Sequence, residues 1–250
     1  PMGFYSPSQL VQDARRHGVT VRPADVNHSQ WQHTLEGPEH HLRLGLRLIR
    51  GLPAASAERI HRHRPRRGYR DTRELRRLAR LSQRDMECLA GANAMPGFTR
   101  NRHQAYWELL DHEVPAALFA EAGETERPEP PCEQLPEPSE GQDILADYHS
   151  QGLSLRRHPL ALLREQGCLR HCLTAEQLTT AHPGRPVQVA GLVTGRQRPS
   201  SAAGVTFVTL EDETGNVNVV VWLATARHQR KPLLTARLLH VQGVVEREGE

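Results

Sequence analysis

The chain has 250 residues, an aromatic content of 4% and a net charge of +3. A length of this size favours two domains over one, and four scattered cysteines are too few for a disulfide framework. No apolar run approaches the roughly 20 residues of a membrane span and the N-terminus lacks a signal-peptide layout, so we expect a cytoplasmic protein that has no membrane partner.

The charge is segregated along the chain. Residues 42–84 contain 14 arginines and only three acids, whereas residues 112–143 carry a net charge of −8. A block of arginines is typical of a surface that binds a polyanion, because each guanidinium can pair with a phosphate through two N–H groups. A genome-wide preference for arginine codons is the alternative explanation.

The first 63 residues predict a helix, a strand and a helical hairpin. An amphipathic helix capped by serine ends at Gly18, and residues 19–21 form a short strand. Apolar residues alternate with arginines over residues 42–49, which we assign to the first helix of the hairpin. Gly51 forms the turn, and the second helix follows at residues 54–63.

A second hairpin follows directly. Asp71 or Thr72 caps a helix that ends near residue 79, and a turn at Leu81-Ser82 leads into another helix. A further helix is predicted at residues 99–110. Its side chains expected to face the core are Ala105, Tyr106, Leu109 and Leu110.

The acidic stretch at residues 112–143 contains six prolines. Such a composition cannot build a core, so it predicts an extended, disordered linker whose acidity keeps it off DNA.

The last third of the chain changes from helical to strand periodicity. Helices are predicted at residues 144–148 and 159–166, and from Val187 the apolar residues recur every second position in four runs. A polar turn at residues 211–216 separates the second and third runs, and Gly191 and Gly195 suit a strand that bulges. We therefore predict a truncated five-stranded barrel, and α+β as the overall fold class.

The hairpin at residues 48–60 resembles the helix-hairpin-helix motif. In that family the second helix presents backbone N–H groups and its dipole to a DNA phosphate, and no base identity is read. The alternative is a plain helical hairpin with a solvated arginine face. The predicted DNA-binding residues are Gly51, Ala54, Ala55, Arg59, Arg62, Arg64, Arg66 and Arg67.

Residues 204–222 resemble the strand-turn-strand core of the OB-folds that bind nucleic acid. Such barrels hold single strands with a basic groove and stacking side chains, for which the candidates are Arg196, Arg198 and Trp222. The alternative, which we weigh above stacking, is that Phe207 and Trp222 fill the barrel core.

No catalytic group, metal site or cofactor is predicted in this segment. Cys168, His171 and Cys172 lie close in sequence, but zinc needs four ligands and no fourth is patterned. Asp212 and Glu213 lie in a predicted turn, so we interpret them as turn-forming residues and not as metal ligands. Paired acids, a phosphate loop and a nucleophile triad are missing from the sequence.

Taken in order, five stretches resemble the error-prone branch of the C-family bacterial DNA polymerases, relatives of the DNA polymerase III catalytic subunit. They are residues 1–7 (PMGFYSP) with 10–18, 21–27, 42–47, 152–160 and 187–222. The resemblance implies a C-terminal fragment with five parts. These are the tail of the polymerase fingers at 1–33, a tandem helix-hairpin-helix domain at 34–111, the linker at 112–143, connecting helices at 144–182 and the OB-fold at 183–250.

The same resemblance implies a function. The parent enzyme would be a DNA-directed DNA polymerase that uses Mg²⁺ and deoxynucleotides in damage-induced translesion synthesis, with its metal-binding acids upstream of Pro1. This segment would grip primer-template duplex and single-stranded template, with accessory mutagenesis proteins as partners and sliding-clamp binding left open. The alternatives are a non-catalytic nucleic-acid-binding adaptor and a tRNA-binding domain.

Overall fold

The computed structural model describes residues 6–110, 135–200 and 204–247. The chain forms two compact units, residues 1–156 and residues 157–250. Helical hairpins dominate the first unit and an antiparallel half-barrel dominates the second, as the sequence predicts. None of the described helices is both long and apolar enough to cross a membrane.

The first unit opens with helix α1 (Pro7–Arg16), whose N-terminus is closed by a capping box between Ser6 and Gln9. Three short strands follow, β1 (Val21–Arg22), β2 (Thr34–Glu36) and β3 (His41–Arg43). They form a sheet in the order β1-β3-β2, in which β3 runs parallel to β1 and antiparallel to β2.

The prediction of a helix over residues 42–49 is wrong. Leu42 and Arg43 belong to β3, and only Leu46–Leu48 forms a single 3-10 turn. Leu42 and Arg43 join a strand because β3 pairs with a neighbour on each side, and the buried Arg43 side chain donates to Glu36 and to the Pro23 carbonyl. At Gly45, two residues after β3, a Cβ would lie 2.4 Å from the Trp31 carbonyl oxygen, so the chain passes too closely for a side chain.

Four helices build the hairpin region. They are α2 (Ala54–Arg62), α3 (Thr72–Ala79), α4 (Gln83–Gly91) and α5 (Arg102–Leu110). Each contributes apolar side chains to one core that also takes in the 3-10 turn, and its fully buried members include Ile49, Ile60, Leu75, Met86 and Leu89. Contacts between successive hairpins therefore stabilise both.

Helix α5 buries only half of the side chains expected to face the core. Ala105 and Leu109 are buried, whereas Tyr106 and Leu110 are exposed. The structure confirms a helix but begins it at Arg102, three residues later than predicted.

Most of the predicted linker, residues 112–134, lies outside the described residues. Its last four residues, 140–143, are the start of helix α6 (Glu140–Ser150), which packs against α4 in the first unit. Ser139 closes the N-terminus of this helix by a capping box with Gln142. A helix so capped can begin inside an acidic segment, because acidic side chains favour the first turn.

The second unit contains a four-stranded antiparallel sheet in the order β6-β5-β4-β7. Its strands are β4 (Pro186–Gln197), β5 (Thr206–Glu211), β6 (Asn216–Val221) and β7 (Leu238–Val244). The predicted bulge is confirmed as a register shift between Val193 and Gly195. Short helices accompany the sheet: α7 (Pro159–Glu165), α8 (Ala175–Thr179), α9 (Leu223–His228) and α10 (Arg230–Thr235).

The face of β5 that packs into the core is not the face of Phe207, which the sequence analysis favoured. Thr206, Val208 and Leu210 are buried, whereas the Phe207 side chain is 39% exposed. Trp222 is 60% exposed, so the prediction that these two aromatics fill the barrel is wrong. Both faces of β5 carry apolar residues, and the alternation alone does not say which one meets the core.

Candidate nucleic-acid interface

The turn of the first hairpin leaves a helix N-terminus open. Gly51 adopts a φ of +84°, which a left-handed turn requires, and Leu52 is buried beneath it. Pro53 is the N-cap residue of α2 and provides no side-chain cap. Within the described residues, the backbone N–H groups of Ala54 and Ala55 have no intramolecular acceptor, and both residues are exposed. These N–H groups and the helix dipole suit an anion.

Other helices of the first unit begin differently. Side chains of Ser6, Asp71, Ser82 and Ser139 accept hydrogen bonds from the first-turn N–H groups of α1, α3, α4 and α6. Helix α2 differs from these four in having no side-chain acceptor at its N-cap, and its third N–H, that of Ser56, donates to the Pro53 carbonyl instead.

The second hairpin lies beside this open end. Arg59 joins them: its Nε donates to the Ala79 carbonyl over 2.9 Å, and its Nη2 donates to Ser56 Oγ over 3.0 Å and to the Arg80 carbonyl over 3.3 Å. A single guanidinium therefore caps the C-terminus of α3 and holds it against the first turn of α2.

Arg64 and Arg67, predicted as DNA ligands, are bound internally. The Arg64 guanidinium donates to the carbonyls of Val26, His28 and Ser29. Burial lowers the pKa of Arg64 from its ordinary value. Arg67 makes a two-pronged ion pair with Glu74, with N···O distances of 2.6 and 3.0 Å.

The Arg67 pair also governs the ionisation of Glu74. The hydrogen bonds from Arg67, and then that from the Arg70 backbone, lower the pKa of Glu74 to about 2. Glu74 is therefore a fixed anion that holds the loop between α2 and α3.

Arg62 and Arg66 remain as exposed cations of the predicted set. No hydrogen bond or ion pair within the described part of the chain engages either guanidinium. Arg80 and Arg84, which sequence reasoning missed, share this property and flank the turn of the second hairpin. Their sequence positions could have identified them, since both lie next to the predicted turn at Leu81-Ser82.

Helix α6 ends against the first hairpin. The sequence did not predict this contact. Arg50, next to the Gly51 turn, donates its backbone N–H to the Ser150 carbonyl over 2.8 Å and its Nη1 to the His149 carbonyl over 3.1 Å. The C-terminus of α6 therefore supports the turn from behind. Its carbonyl groups suit a cation such as Arg50.

In the second unit, the three predicted single-strand ligands differ in their surroundings. Arg196 donates to the carbonyls of Leu233 and Ala236 and so holds the end of α10. Arg198 is exposed on the segment after β4. Trp222 follows β6 and is mostly exposed, two positions after the exposed Val220 that pairs with Phe207.

The polar turn after β5 is structural, as predicted. Asp212 is buried and accepts hydrogen bonds from the Thr214 and Gly215 N–H groups and from the Ala175 N–H. Glu213 pairs with Arg164 over 2.5 Å. Across the described residues no group of three His, Cys, Asp or Glu side chains is placed to hold a metal ion.

Comparison with known proteins agrees with this geometry. The family described as "Helix-hairpin-helix motif" matches residues 18–105, and the family described as "OB-fold nucleic acid binding domain" matches residues 187–250. Both predicted folds are thereby confirmed.

Long relatives match the chain from end to end. A protein of Alkalilimnicola ehrlichii named "Error-prone DNA polymerase" is 51% identical over 100% of this chain and 24% of its own length. Proteins of the same name from Pseudomonas paraeruginosa and Vibrio parahaemolyticus are each 49% identical, over 98% and 100% of this chain and 24% of their own length. The chain spans about a quarter of these relatives, within their C-terminal part.

Proposed function

The chain belongs to the error-prone DNA polymerases, and we propose that this quarter of the enzyme grips primer-template DNA and performs no chemistry itself. The open first turn of α2 carries the proposal. Two uncapped N–H groups, an exposed position and a matching helix-hairpin-helix family together favour a phosphate of duplex DNA as the ligand.

Arg62 and Arg66, at the other end of α2 and beyond it, supply further phosphate contacts in the proposal. Both are exposed cations near the end of α2, and each phosphate that they neutralise releases counterions from the duplex. The contacts are to the backbone, so binding is independent of base sequence. Contacts from Arg59, Arg64 and Arg67 stay a prediction, and their internal hydrogen bonds favour a structural role.

The half-barrel supplies the single-strand site in the proposal. The register pairs Val220 of β6 with Phe207 of β5, Trp222 follows the end of β6, and all three residues are exposed. Exposed aromatic side chains next to Arg198 suit stacking with the bases of a template strand.

The rest of the enzyme completes the proposed activity. We propose that the whole enzyme carries out DNA-directed DNA synthesis in damage-induced translesion synthesis in the cytoplasm, in company with accessory mutagenesis proteins. Mg²⁺ would neutralise the phosphates of the incoming deoxynucleotide. The described residues offer no acidic cluster that fits this ion, so no step is assigned to it in this segment. The relatives favour this function over an adaptor or a tRNA-binding domain.

The binding test uses fluorescence anisotropy of the 250-residue chain with a primer-template junction, duplex and single strand over a salt series. We expect the tightest binding at the junction and a steep loss of affinity with salt. Binding that is absent, or that prefers RNA to all three DNA ligands, would contradict the proposal.

A matched pair of variants tests the α2 site. Ala55→Glu places a carboxylate in the first turn of α2, where it favours the helix and repels phosphate. We expect duplex affinity to fall about tenfold or more, the cost of like charge at one phosphate contact, with no loss of thermal stability. Ala55→Gln, of equal size and neutral, should bind as the wild type does. Equal binding by the two variants would contradict the assignment.

A further inference from the structure

The second unit contains a cavity of about 430 Å³ on strands β4 and β7, which we call the β4–β7 cavity. This volume falls within the range of about 300 to 1,000 Å³ that is typical of small-molecule sites. The residues that line it lie between His171 and Val244, all within the second unit. They include neither the α2 residues nor Phe207, Trp222 and Arg198 of the proposed single-strand site.

The floor of the cavity is a ladder of cross-strand pairs. Pro186 of β4 lies opposite Val244 of β7, and Gln188 lies opposite Gln242. Because alternate residues of a strand share one face, both pairs lie on the same face of the sheet. An apolar pair therefore adjoins a pair of amide side chains.

This face of the sheet is turned away from the barrel core. The core contains Val189 and Val241, a pair that belongs to the opposite face of the two strands. Ala190, which follows Gln188 on the cavity face, packs instead against Leu160 and Cys172. The cavity is thus separate from the interior of the half-barrel.

Hydrogen bonds hold the wall of the cavity at residues 171–173. The Leu173 N–H donates to the Gln188 carbonyl over 2.8 Å. Arg164 Nη1 donates to the Cys172 carbonyl over 2.7 Å. The wall is therefore fixed to β4 on one side and to α7 on the other, so the cavity is formed before a ligand binds.

The polar groups of the cavity favour an anion. Of the described residues that line it none is acidic, whereas Arg185 and His171 are basic. No hydrogen bond or ion pair within the described ranges engages either side chain. His240 Nε2 lies 3.1 Å from Gln188 Oε1, and because this oxygen can only accept, the Gln188 NH₂ group remains a donor.

We infer that the β4–β7 cavity binds one nucleotide, with adenine as the favoured base. The base packs on Pro186 and Val244. Gln188 and Gln242 bind its edge, since a glutamine amide presents the donor and acceptor that match adenine N6 and N7. Arg185 pairs with the phosphate. A free nucleotide and a nucleotide of a DNA strand offer the same groups, and the inference does not depend on duplex binding.

The test titrates the isotope-labelled 250-residue chain with deoxyadenosine monophosphate (dAMP) and, separately, with oligodeoxyadenylate, and follows the Gly243 N–H by NMR. We expect a saturable shift of this signal. Arg185→Gln should weaken binding about tenfold, the effect of one charged hydrogen bond, with unchanged thermal stability because the side chain is exposed. A shift with dAMP identifies a free nucleotide as a ligand, and a shift with the oligonucleotide alone identifies a strand.

The control is Arg227→Gln, which removes an equal charge from an exposed position on α9 and should leave the shift unchanged. If it weakens binding as much as Arg185→Gln does, the attraction is unspecific and the inference is overturned. Inorganic phosphate that shifts Gly243 as strongly as dAMP would overturn the role of the base. If neither nucleotide probe shifts Gly243 but the Trp222 indole N–H responds, the cavity is excluded and the proposed single-strand site stands.

Discussion

Arg102 and Asp147 form a buried ion pair in which Arg102 Nη2 lies 2.7 Å from Asp147 Oδ1. Asp143 Oδ1 lies 2.8 Å from Arg102 Nε, and Arg156 contacts both acids from the edge of the cluster. The pair joins α5 to α6, which lie on either side of residues 111–134, a stretch outside the described ranges. It therefore fixes α6, and with it the carbonyl groups that hold the Gly51 turn through Arg50.

Breaking this pair should destabilise the first unit strongly. Asp147→Asn leaves the buried Arg102 without one of its two anions, and removal of one partner from such a pair costs about 3 to 5 kcal/mol. Urea unfolding measures the loss. The exposed pair of Arg100 and Glu137 is the control, because Glu137→Gln should cost less than about 1 kcal/mol. Equal losses would show that α6 is not held by the buried cluster.

The arginines predicted to bind DNA should separate into those that stabilise the fold and those that bind the duplex. Arg59→Ala removes three hydrogen bonds to the α3 terminus and Ser56, and we expect it to lower the free energy of unfolding by about 1 to 3 kcal/mol. Arg62→Ala and Arg66→Ala should leave stability within about 0.5 kcal/mol and weaken duplex binding. Chemical denaturation and anisotropy on the same preparations check both. A stability loss in Arg62→Ala would reveal an internal partner.

The exposed part of Phe207 makes this residue a candidate for stacking with a base. Phe207→Ala should lower the free energy of unfolding by less than the loss of a core side chain does, because 39% of Phe207 is already exposed to solvent. Affinity for a single strand should fall about fivefold or more if one base stacks on the ring. Leu210→Ala, at a buried position on the same strand, should cost about 2 to 5 kcal/mol. A Phe207 variant as unstable as the Leu210 variant would restore the core assignment.

Acid should weaken the loop between α2 and α3 through Glu74. The folded-state pKa of about 2 lies below the ordinary value of 4.5, so the pair stabilises the fold above pH 4.5. That contribution is lost as the pH falls from 4.5 towards 2. The difference in unfolding free energy between the wild type and Glu74→Gln should therefore shrink over this interval. Glu58→Gln, at an exposed position of α2, should show no such trend.

The sequence alone determined the helices from α2 to α5, the four strands of the half-barrel and the two fold families. Turn residues at Gly51 and Ser82, helical spacing between them and strand alternation after Val187 are local signals that the structure repeats. The bulge near Gly195 and the turn at Asp212 also follow from local chemistry. Each of these features depends on residues within a few positions of one another, which is why the sequence predicts it.

Tertiary structure decided what individual side chains do. An arginine at position 59 or 64 suits a phosphate and a backbone carbonyl equally well, and only the folded chain brings those carbonyls within reach. The buried face of β5 depends on which side meets the core, and the strand at residues 41–43 depends on its two neighbours. Arg102 and Asp147 are 45 positions apart, so the pair that closes the first unit is set by long-range packing that no local pattern records.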